Sequence, residues 1–172
     1  MRKFFAALAM LFPLCAFCGG LFPLAGKSYI QRGRLSFGPD EIAVTVYVSA
    51  AADGSAKMLL QSQAGRLAKI ELCPCGRVRS CEGGAFFPKR LAEKFALRDF
   101  RACWGMSKFL PEEARIEISR GAAAGVSYGG YSAEFSQFFR VEKWGRDIPR
   151  VAEIKCPEYT LRLEFAAPIE KN

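Results

Sequence analysis

The stretch YTLRLEF, residues 159–165, decides the fold. Tyr159, Leu161, Leu163 and Phe165 alternate with Thr160, Arg162 and Glu164. Successive side chains of an extended chain point to opposite faces, so this pattern gives a strand one apolar face and one wet face. The same alternation recurs upstream. Ile42, Val44, Val46 and Val48 alternate with Ala43, Thr45 and Tyr47, and Ala68, Ile70 and Leu72 with Lys69 and Glu71. Ile116 and Ile118 are flanked by Arg115, Glu117 and Ser119; Tyr131, Ala133 and Phe135 alternate with Ser132, Glu134 and Ser136, and Phe139 and Val141 continue the segment. Weaker strand signals cover 34–37, 57–63, 77–81 and 151–156.

Turn residues separate these runs: Gly38-Pro39-Asp40, Asp53-Gly54, Gly83-Gly84, Gly129-Gly130 and Cys156-Pro157. The Ala/Gly run 121–125 reads as a flexible loop. About seven to nine strands at this spacing predict an all-β or β-dominated domain, an antiparallel sandwich or barrel-like sheet. One amphipathic helix interrupts it at about 88–104. Pro88 suits the first turn of KRLAEKFALRDFRACW, residues 89–104. At about 100° per residue, Leu91, Ala92, Phe95, Ala96, Phe100, Cys103 and Trp104 share an apolar arc. Arg90, Lys94, Arg98 and Arg101 gather beside it as a basic stripe. That stripe is either the solvated face of a core-packed helix or a contact for an anionic membrane surface or envelope component.

The N-terminus has the layout of an export signal. Arg2 and Lys3 precede FFAALAMLFPLCAF, residues 4–17, and the small residues Cys18, Gly19 and Gly20 follow. Residues 1–26 are therefore expected to be a signal peptide or an N-terminal membrane or lipid anchor, and 27–172 a single exported β-rich domain. Cys18 is the candidate for lipid attachment, although Phe17 is bulky for a lipoprotein processing site.

Histidine is absent from the 172-residue chain. That removes Ser-His-Asp and Cys-His nucleophilic arrangements and every imidazole-ligated metal centre. Carboxylate-pair chemistry is still open, but Glu112, Glu113, Glu134 and Glu142 follow no recognisable spacing. The formal charge of +8 favours anionic partners. Export and the lack of any nucleic-acid-binding motif set nucleic acid aside. No catalytic residue, cofactor or metal is expected.

Beyond the leader the cysteines are Cys73, Cys75, Cys81, Cys103 and Cys156. In an oxidising compartment these are disulfide candidates. Cys75–Cys81, with Cys73 joined to Cys103 or Cys156, is the pairing expected; adjacent-strand geometry disfavours Cys73–Cys75. The run Cys73-Pro74-Cys75-Gly76 is one residue short of a zinc knuckle, which weakens a Cys-only metal site.

Together these features point to an exported protein of the periplasm or bacterial cell envelope with a binding or structural role. Two alternatives stand beside it: a carrier for a lipid or other apolar ligand, suggested by the ten Phe residues beyond the leader, and a His-independent hydrolase of envelope glycan. Native protein is expected to begin near Gly19, Leu21 or Gly26, or to carry a lipid adduct on Cys18, when its intact mass is measured. A cytoplasmic protein starting at Met1 contradicts the export reading.

Overall fold

The computed structural model describes residues 26–104, 110–119, 122–142 and 145–169. Residues 1–25, which hold Cys18 and nearly all of the expected leader, lie outside them. Ten strands form: β1 (Ser28–Phe37), β2 (Asp40–Ala50), β3 (Ala56–Ser62), β4 (Gly65–Leu72), β5 (Val78–Gly83), β6 (Arg115–Ser119), β7 (Ala122–Tyr128), β8 (Tyr131–Val141), β9 (Arg146–Lys155) and β10 (Thr160–Pro168). A helix, α1, lies between β5 and β6 and runs as Lys89–Leu91, a π-helical turn Ala92–Ala96, and Leu97–Trp104.

The strands make one antiparallel sheet in the order β5-β4-β3-β2-β1-β10-β9-β8-β7-β6. The domain is thus β-dominated with one helix, and the sheet is continuous and not closed into a barrel. Two meanders of five strands are joined by a single non-sequential pairing, β1 with β10. The free edges are β5 and β6, and the connection carrying α1 runs from one to the other.

Alternation places the core on one face. Val44, Val46, Val48 and Ala50 of β2 are buried, as are Ala56, Met58 and Leu60 of β3 and Ala68, Ile70 and Leu72 of β4. Tyr131, Ala133 and Phe135, then Ala152 and Ile154, then Leu161 and Leu163 complete the face from the other meander. Pairing carries this face across the β1–β10 junction. Val44 lies opposite Gly33, Gly33 opposite Leu163, Leu163 opposite Ala152, and Ala152 opposite Phe135. Gly33 is the small residue of that row because the strands crowd at its position. A Cβ on Gly33 would sit 1.8 Å from the Arg162 carbonyl oxygen.

Three local readings change. The Ala/Gly run at 121–125 is largely strand β7, not a loop, because Gly125 and Val126 pair with Glu134 and Ala133 of β8. Backbone pairing on both sides outweighs its poor strand propensity. Strand β6 does not bury its apolar face: Ile116 and Ile118 are 37% and 59% exposed at the sheet edge. Strand β1 starts six residues before the predicted Arg34, and regular alternation turns both Tyr29 and Gln31 inward, opposite the buried Val48 and Val46 of β2.

Replacing Gly33 with Val is expected to cost at least about 3 kcal/mol, since the collision is with backbone that no side-chain rotation relieves. Chemical denaturation checks this. Gly38→Ala, where a Cβ meets nothing within 4 Å but φ is +58°, serves as a comparison and should cost only about 1 kcal/mol.

Candidate functional site

Chemistry-bearing side chains converge where α1 meets the turns of the β6–β10 meander. The buried side of α1 is Ala92, Ala96, Asp99, Phe100, Ala102 and Cys103. Asp99 lies at helical spacing between Ala96 and Cys103, so packing the apolar arc carries its carboxyl inside, where it is only 5% exposed. The turn after β9 brings up its partner. The Cys156 amide donates to the Tyr159 carbonyl at 3.0 Å, and the Tyr159 hydroxyl donates to Asp99 Oδ2 at 2.5 Å.

Arg98 completes the cluster. Its Nη2 donates to the Tyr159 oxygen and to Cys156 Sγ, both at 3.2 Å, and its Nε lies 3.8 Å from Asp99 Oδ1. The guanidinium also covers the Tyr131 ring at 4.7 Å, and Tyr131 in turn stacks on Tyr128 at 5.0 Å. Phe95 meets Tyr159 edge-on at 5.4 Å, and Lys94 reaches Glu158 at 3.1 Å. Two successive turns of one helix are thus tied to residues about sixty positions away.

Burial sets the protonation states. It pushes the Asp99 carboxyl up to about 6, against the hydrogen bond from Tyr159 and the charge of Arg98, which hold it down. Burial likewise raises Tyr131 and Tyr159, with the Asp99 charge adding to it, and raises Cys103 further above its ordinary value. Burial lowers the tendency of Arg98 to stay charged, but Tyr159 and Asp99 outweigh it. At neutral pH the cluster therefore holds one cation, one carboxylate and protonated phenols and thiol. Its chemistry is that of a clamp. Breaking a buried pair from one side leaves the other charge uncompensated, which costs roughly 3–5 kcal/mol.

The basic stripe expected on α1 divides. Arg90 and Lys94 face solvent, and Lys94 is paired with Glu158. Arg98 and Arg101 are half-buried, and Arg98 belongs to the clamp. The five described cysteines are all unbonded, so none of the expected disulfides is present. Cys81 and Cys103 are buried, Cys156 accepts from Arg98, and the only sulfurs in contact among the described residues are those of Cys73 and Cys75, 3.0 Å apart. Among the described residues no three Cys, Asp or Glu side chains gather in a metal-binding group, and no helix is long and apolar enough to cross a membrane. An open groove of about 320 Å³ lies over β1–β3, and its lining is mixed: Arg32, Thr45, Gln61 and Gln63 beside Ala43 and Val44.

Sequence reasoning left Asp99, Tyr131 and Tyr159 out of any site. Asp99 had a signal: on a helical wheel it falls inside the apolar arc, between Phe95 and Ala92. The tyrosines had none, because both sit at inward positions of strands or turns that read as ordinary core. No protein-family model matches the chain, and no characterised protein is similar enough in sequence to serve as a relative.

A carboxyl raised by folding stabilises the fold most when protonated, and that advantage is lost as pH rises through its folded value. Stability of the native chain, measured against Asp99→Asn, is therefore expected to fall between pH 4 and above 6, by an amount of order 3 kcal/mol. Parallel denaturation curves of the two proteins across this range test it. A relative gain in native stability with rising pH contradicts the assignment.

Proposed function

We propose that this chain is an exported, non-catalytic component of the bacterial cell envelope, acting through binding or structure. One observation carries the reading: Asp99, Arg98, Tyr159 and Cys156 face one another. Asp99 is bonded to Tyr159, and Arg98 to Tyr159 and Cys156, so these groups are occupied in holding α1 to the sheet.

The interior supports the same conclusion. Phe100, Ile70, Ile148, Ile154, Leu163, Val46, Val48 and Val126 are each under 2% exposed. A pocket wide enough for an acyl chain leaves its lining accessible when empty, whereas a packed core does not. This weighs against the carrier alternative. A glycan hydrolase needs two carboxylates across a cleft, about 5–9.5 Å apart. Glu112, Glu113, Glu134 and Glu142 all stand on exposed surface, and none lines the groove over β1–β3.

The partner that best fits is anionic, a membrane surface or an acidic envelope component. The chain carries 25 basic against 17 acidic residues, and Lys89, Arg90 and Lys94 lie along the exposed side of α1.

Protein purified gently from the envelope fraction is expected to yield no stoichiometric lipid on organic extraction and to release no soluble fragments from purified envelope glycan. Recovered lipid overturns the reading in favour of a carrier. Released fragments overturn it in favour of a hydrolase.

A further inference from the structure

The β4–β5 connection is built around two sulfurs. Cys73-Pro74-Cys75-Gly76-Arg77 closes on itself: the Cys73 amide donates to the Arg77 carbonyl at 3.0 Å, and the Gly76 amide to the Cys73 carbonyl at 2.7 Å. Gly76 has φ +75°, a conformation glycine adopts without steric cost, and the Pro74 ring restricts the residue between the cysteines. The chain thereby turns back between Cys73 and Arg77, and the two thiols meet. Cys73 Sγ and Cys75 Sγ lie 3.0 Å apart, and the Cys73 thiol also points at the Arg77 carbonyl, 3.1 Å away. Cys75 is exposed and Cys73 half-buried.

We propose that Cys73 and Cys75 are a redox-active dithiol that reduces an accessible disulfide and closes reversibly into a disulfide within the turn. Cys75 is the attacking sulfur, because it is the exposed member and is already in contact with its neighbour. Its thiol is held below the ordinary range, first by the contact with Cys73, then by the Arg77 backbone and the Arg77 charge. The other thiols contrast with it. Burial raises Cys81 and Cys103, and both are shut off from solvent. Reactivity follows thiolate character and access together, and against Cys81 and Cys103 the turn combines them.

The chemistry balances without a cofactor. The Cys75 thiolate attacks one sulfur of the partner disulfide, the partner S–S bond breaks, and the first partner thiolate leaves and takes up a proton. Cys73 then loses its proton to solvent, and its sulfur attacks Cys75 Sγ in the mixed disulfide. The second partner thiol is expelled and protonated in turn. The partner disulfide has gained two electrons and two protons, and Cys73 and Cys75 have lost them. In an oxidising envelope the pair would stand mostly closed, and an external thiol would reopen it.

Both cysteines fall on one tryptic peptide, residues 70–77, which makes the test direct. The native protein, reduced and freed of reductant, is exposed to oxidised glutathione in one arm and to a disulfide-bonded protein in the other. Remaining thiols are then alkylated and the peptide is weighed. The expected product is an unalkylated peptide lighter by two hydrogens, restored to the dialkylated form by reduced glutathione. Transfer in either arm supports the proposal, and the faster arm identifies the kind of disulfide used. Cys73→Ser should trap Cys75 as a lasting mixed disulfide, and Cys75→Ser should slow reaction at the turn by about tenfold or more. A peptide 70–77 that stays dialkylated in both arms overturns the proposal, as does oxidation that joins Cys73 or Cys75 to Cys81, Cys103 or Cys156.

Discussion

The pairing of β1 with β10 is the constraint on which the rest depends. Every other neighbour in the sheet is also a neighbour in sequence, and such hairpins form locally. The β1–β10 ladder alone joins segments from opposite ends of the described chain, from Tyr29 opposite Pro168 to Ser36 opposite Thr160. It merges two half-cores into one, because each meander by itself presents an apolar face with only part of its cover. Gly33 sits at this seam, where the Arg162 backbone leaves no room for a side chain.

The helix answers a second requirement of the same topology. An open sheet has two edges, and the chain must travel from β5 to β6 to connect them. Helix α1 occupies that path, packs on β4 and β5, and reaches the far meander through Asp99, Arg98 and Lys94. Apolar packing holds one side of the connection and a buried polar clamp the other. A buried polar contact adds directionality that apolar packing lacks, since Tyr159 and Asp99 meet in only one register of the helix.

Strands whose inward positions hold Val, Ile, Leu or aromatic residues were legible from alternation: β2, β4, β8 and β10 in particular. Strand β7 was not, because Ala122 to Gly125 have no bulk to pattern and depend on pairing from both sides. The helix was legible from its period, and so was the burial of Asp99, had an acid inside an apolar arc been read as a signal. Its partners were not, because Tyr131 and Tyr159 lie on separate elements that only the sheet order brings together. The Cys73–Cys75 contact was hidden for another reason. Residues two apart on a strand share a face but stay apart, whereas these two flank a proline in a tight turn, after β4 has ended at Leu72.

A buried polar clamp, an apolar core on one sheet face and a reactive dithiol on a surface turn assign different work to different parts of one small fold. All of it presumes that the two meanders are a single cooperative unit held at the β1–β10 seam. Native-state hydrogen exchange tests that most directly. Amides of β1 and β10, with those of β2 and β9 beside them, should exchange only through global opening and share one free energy from both sides of the seam. Exchange of the β6–β9 amides at a distinctly lower free energy, while β1–β5 stay protected, would contradict it and show two halves that open independently.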